Sequence, residues 1–235
     1  MRRIYKFRLI TRCLIFIACG VMYLGRPEAL DILEADHFFK SFSPLHLLWA
    51  LWMADMAGQL IPVKQPVALG SQKLFEFCFA KTEETGHSHR LKEYMAGAAR
   101  GAGKVLVIWS VLTAVLGFLY FSDRIGDKEL FMISVFFYVC DLICVVIWCP
   151  FRLLMKTRCC TTCRIFNWDH LMMFSPMAFV RGFYARSLFV MSVLVWTVWE
   201  ASVFFHPERF WEGTNASLKC KNCGDRLCWR PRPGR

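Results

Sequence analysis

Two long apolar runs, residues 105–121 and 130–149, are joined only by the charged loop 122–129, SDRIGDKE. As helices, each reaches most of the way across a hydrocarbon layer about 30 Å thick, and the loop between them is short enough to force a hairpin. A soluble chain would have to bury both runs in one large core. This chain of 235 residues is 56% hydrophobic, with 22 Phe and 9 Trp, richer in apolar side chains than the ~45–50% usual for soluble domains. The fold expected is therefore all-α, a polytopic integral membrane bundle of about five or six segments.

The same reasoning divides the chain. Residues 1–62 form an N-terminal membrane hairpin. Its first run, 13–24, follows a basic start (Arg2, Arg3, Lys6, Arg8 and Arg12), and its second, 45–61, carries Asp55 and stops at Pro62. The basic start places the N-terminus in the cytoplasm. Residues 63–104 form a cytoplasmic amphipathic loop whose end, 90–104, mixes Arg90, Lys92, Arg100 and Lys104 with Leu91, Tyr94 and Met95, as an interfacial segment does. Residues 105–150 are a second membrane hairpin, and 151–170 a cysteine-rich cytoplasmic loop. Residues 171–206 hold a short membrane segment and a last span, and 207–235 a basic tail with cysteines.

The short segment, LMMFSPMAFV at 171–180, covers only ~15 Å as a helix and contains Ser175-Pro176. If it crosses, there are six segments and the tail lies inside. If it dips and returns, there are five and the tail lies outside. Lys219, Lys221, Arg226, Arg230, Arg232 and Arg235 favour the first arrangement, Arg181 and Arg186 the second.

The net charge of +11 is spread between apolar runs rather than over one soluble face. The partners expected are the lipid bilayer, anionic lipid headgroups and other membrane subunits, with no nucleic acid. Residues 97–104, GAARGAGK, approach a phosphate-binding loop and miss it: Ala98 stands at the first glycine, and Val105 where Ser or Thr would hold magnesium, so the better reading is a small-residue helix entering the membrane.

Two features carry chemistry. The first is a pair of thiol clusters among 12 cysteines. Cys160, Cys163, Cys220 and Cys223 give two C-x-x-C pairs, a spacing that lets both thiolates of a pair reach one tetrahedral zinc, with Cys159 and Cys228 as substitute ligands. Neighbouring Lys and Arg are expected to favour the thiolate. An iron–sulfur cluster or thiol–disulfide exchange is the competing use. The second feature is the set of carboxylates inside apolar runs, Asp55, Asp141 and Glu200, each costly there unless paired or functional. Asp141 is the most central.

The functional reading is a membrane protein with a cytoplasm-facing, structural cysteine–zinc site, serving as a scaffold or accessory subunit and not as an enzyme. One alternative is a membrane redox protein using the thiols. The other is a proton- or cation-coupled transporter using the carboxylates. No catalytic residue is assigned.

Overall fold

The structure, a computed structural model, describes residues 3–34, 37–40, 42–62, 69–82, 88–157 and 159–222. Among these the chain is helical, with no strand and one isolated antiparallel bridge, Lys81 with Asn215. Four helices are long and apolar enough to cross a membrane. They are α1 (Arg3–Gly25), α4 (Ser88–Phe121), α5 (Asp127–Val146) and α8 (Phe183–Phe205). A shorter helix, α2 (Leu45–Leu60), packs along α8. The remaining helices are brief: α3 (Leu69–Gln72), α6 (Phe151–Met155) and α7 (Asp169–Phe174).

Side-chain contacts fix the direction of each helix. Helix α1 lies antiparallel to α5. Tyr5 packs with Leu142 and Val146 at one end, and the Tyr23 hydroxyl donates to Glu129 at 2.5 Å at the other. Helices α2 and α8 start together, where Trp49 Nε1 donates to Ser187 at 2.8 Å. Helix α4 starts beside the cysteine loop, where the Tyr94 hydroxyl donates to the Thr162 carbonyl at 3.2 Å, and ends against Phe179.

The 171–180 stretch thus has a definite course. Helix α7 begins at the cysteine end and passes into a 3₁₀ turn, Ser175–Phe179. The chain then emerges at the opposite end, where Gly182 lies so close to the Leu33 carbonyl that a Cβ would stand 1.9 Å from its oxygen. This segment runs from one end of the bundle to the other and does not turn back. Pro176 breaks the helix by removing a backbone donor. The break is tolerable because it is enclosed: Phe174 and Met177 are fully buried, and Ser175 accepts from Trp109 Nε1 at 2.9 Å.

Between residues 88 and 121 the sequence expectation and the structure differ. Residues 88–104 continue the following span as one helix: 97–104 enters it as a small-residue helix, as expected, but 90–96 belongs to the same helix instead of to a separate loop. The small residues of the phosphate-loop lookalike explain this. Ala98 and Ala102 are buried, and Gly101 comes so close to α6 that a Cβ would meet the Leu154 carbonyl and the Met155 Cα at 3.2 Å. The motif is a helix-packing surface.

Three pieces cap the cysteine end: the segment around α3, the loop 159–168 and the tail 206–222. Arg209 donates to the Leu74 carbonyl at 3.0 Å, Ala216 N–H to the Ala80 carbonyl at 2.7 Å, and Ser71 to Asn167 at 3.1 Å. The described part of the tail therefore lies at the same end as the cysteine loop and the start of α1.

Candidate functional site

Helices α1, α2, α5 and α7 each bring ionisable side chains to one level inside the bundle, toward its cysteine end. Arg12 Nη1 lies 2.5 Å from Asp141 Oδ2 and also donates to the Tyr138 carbonyl at 2.8 Å. Its guanidinium sits 4.0 Å from the Tyr138 ring centroid. His170 is buried between two acids: its Nε2 is 3.4 Å from Asp55 and its Nδ1 is 3.2 Å from Asp169. Asp169 and His170 lie within electrostatic reach of Asp141, and Arg8 and Arg12 within reach of Asp55. Three carboxylates thus face two arginines and one histidine.

The geometry ties these groups to a proton. The Gln59 amide lies 3.2 Å from His170 Nδ1. If that nitrogen is bare it accepts from the amide N–H; if it is protonated it donates to Asp169, also at 3.2 Å, or to the Gln59 oxygen once the amide turns. As placed, Gln59 Oε1 is buried without a hydrogen-bond partner, which turning the amide would relieve. Trp52, one turn before Asp55 on α2, is fully buried with its indole N–H also unpartnered. The cluster is not sealed, since the Asp55 side chain is 49% exposed while that of His170 is 4% exposed.

Glu200 belongs elsewhere. Arg164 grips both of its carboxylate oxygens, one at 2.6 Å, and Trp168 Nε1 donates to it at 2.7 Å. Trp199 Nε1 donates to the Arg164 carbonyl at 2.8 Å. This acid anchors the cysteine loop to α8, the locking arrangement available to any paired carboxylate within a bundle.

Among the described residues, no group of three or more His, Cys, Asp or Glu side chains is placed to hold a metal ion. Cys160 and Cys163 are partly buried in the loop and Cys220 is exposed in the tail. Cys223 and Cys228 lie outside the described residues. In the loop pair the cations act in the expected direction, Arg152 on Cys160 and Lys73 on Cys163, but burial outweighs them. Burial pushes the Cys160 thiol up to about 11 against the opposing effect of Arg152, and burial also raises Cys163. Beneath this loop Lys73 is buried, its ammonium 3.3 Å from the Cys163 carbonyl and about equally distant from the Trp199 and Phe210 rings, at 5.1 and 5.3 Å.

Sequence reasoning singled out Asp141 and Asp55 but missed Arg12, Gln59, Asp169 and His170, which surround them. The legible signal was Asp169-His170, an acid–base pair set directly before an apolar segment. No family model matches this chain, and no curated protein or solved structure matches it either.

Proposed function

We propose that the protein is a multi-pass integral membrane protein of six segments with both ends in the cytoplasm, and that its ionic cluster exchanges protons in the service of cation- or proton-coupled transport. The observation that carries this reading is the meeting of Asp141, Arg12, Asp55, His170 and Asp169 on four separate segments. Ionisable groups are expensive at that depth and gather where a charge is to be bound or moved. The discontinuous α7 segment, which starts with Asp169 and His170, supports the same class, because broken helices are a common way to build ion sites within a bundle. Orientation rests on the exposed cations Lys6, Arg8, Arg100, Lys104 and Lys156 at the cysteine end.

The test is reconstitution into vesicles with an internal pH-sensitive dye. A cation gradient should drive proton movement through the wild type, and His170→Gln and Asp141→Asn should abolish it per folded molecule, Asp141→Asn being the less stable because it leaves Arg12 without its acid. Proton movement no faster than in empty vesicles would defeat the reading.

A second reading, a zinc-stabilised scaffold, is favoured by one observation: Cys160, Cys163 and the start of the tail share the same end of the bundle. Zinc analysis of purified protein, with Cys163→Ser and Cys223→Ser, decides it. One equivalent of zinc lost in both variants supports a shared site.

A further inference from the structure

We propose that Arg100 and Lys104 on α4, with Lys156 at the end of α6, form a docking surface for the headgroup of an anionic phospholipid in the cytoplasmic leaflet. The inference rests on the membrane reading above but not on proton exchange. Arg100 and Lys104 are one turn apart, both exposed, and neither forms an ion pair among the described residues. Directly below them on the same flank, Val107, Ile108 and Val111 are 63%, 52% and 59% exposed. The close approach at Gly101 brings α6 against this stretch, with Lys156 following Met155 at the contact. Lys156 adopts φ 50, ending α6 in the left-handed region with its side chain exposed. Beside it Leu153 is 74% exposed, and Trp148, where the chain leaves α5, is 55% exposed. The surface thus has cations above and bare apolar side chains below, which matches a phosphate headgroup carrying acyl chains.

The continuous helix also says which cations do not take part. At 1.5 Å per residue, Arg90 and Lys92 lie roughly 20 Å beyond Lys104 along α4, outside the reach of the same headgroup. A segment lying flat on the leaflet would have placed all four cations in it. The projecting helix selects two.

The experiment compares lipid retention by full-length protein in nanodiscs of mixed phosphatidylserine and phosphatidylcholine, read by native mass spectrometry after release. The wild type should retain phosphatidylserine preferentially. Arg100→Gln, Lys104→Gln and Lys156→Asn together should lower the preference about tenfold or more, asparagine being chosen because it accepts the left-handed backbone. Arg90→Gln with Lys92→Gln should leave it unchanged. Equal retention of both lipids by the wild type, or an equal loss in the Arg90 and Lys92 variant, overturns the proposal. A chain that never enters the bilayer overturns it together with the membrane reading, whereas correct insertion without lipid preference overturns this inference alone.

Discussion

Arg12 and Asp141 meet across α1 and α5 at 2.5 Å, an ion pair that joins the first apolar segment to the interior of the bundle. Neither charge has an inexpensive existence there without the other. Removing one leaves the second buried and uncompensated, at a cost of about 3–5 kcal/mol, whereas replacing both with apolar groups of similar volume is far milder. Arg12→Met alone should therefore lower the unfolding temperature in detergent sharply, and Arg12→Met with Asp141→Leu should recover most of it. If the double variant regains stability and still moves protons at the wild-type rate, the pair is only a packing device.

Glu200 separates locking from chemistry. Glu200→Gln keeps one acceptor for Trp168 but loses the charge that Arg164 grips. Stability should fall by about 2–4 kcal/mol, followed by unfolding in detergent. Proton movement per folded molecule should be unchanged, because this acid stands apart from the Asp141 cluster.

Lys73 predicts how the cap responds to pH. Burial pushes its ammonium down to about 7 from the ordinary 10.5. Between those values the opened cap binds a proton that the closed cap does not, so closure strengthens as pH rises from about 7 toward 10.5. The slope is at most about 1.4 kcal/mol per pH unit, and below pH 7 this contribution is flat. Protease cleavage of the tail should slow from pH 7 to pH 9 in the wild type. In Lys73→Met that pH dependence should disappear once the protease's own pH profile is subtracted.

Asn215 lies in the triplet Asn-Ala-Ser, a glycosylation sequon by sequence. It is 1% exposed, and both its amide oxygen and its nitrogen are hydrogen-bonded. Its oxygen accepts from Ala80 and Ser217 N–H, and its nitrogen donates to the Arg209 carbonyl at 2.9 Å. No glycan should be found there after expression in a glycosylating host, as judged by an unchanged gel position on endoglycosidase treatment. Asn215→Ala should cost about 1–3 kcal/mol of tail docking, visible as faster proteolysis after Phe205.

The helical class and the long apolar elements could be read from the sequence because hydrophobic run length is a local property. Residues 130–149 announce α5 unaided. The course of 171–180 could not be read that way. Whether a short broken stretch crosses depends on what encloses Ser175 and Pro176, and Trp109 and Thr113 reach that place from a distant part of the chain. The same limit applied to the ionic cluster. Asp141 stood out because its neighbours are apolar, while Arg12 was hidden among the basic residues of the N-terminus. His170 was hidden beside the more conspicuous thiols. Arg12 and Arg164, which each hold a partly buried acid, were legible only as charge until their partners were in place.

The interrupted passage through α7 and Ser175–Phe179 bears on how the molecule is made. A stretch that spans roughly 20 Å and carries Asp169, His170 and a broken backbone has little affinity for lipid by itself. Its hydrogen-bonding groups find partners on other helices: Gln59 and Asp55 of α2 meet His170, and Trp109 and Thr113 of α4 meet Ser175. On the six-segment reading proposed above, it would wait during synthesis at the cytoplasmic surface until α8 emerges and then enter with it as a hairpin about Gly182, into a slot already formed by the earlier helices. The orientation of α8, and with it the side on which the tail is finally placed, is consequently decided last and by the protein itself, not by the lipid.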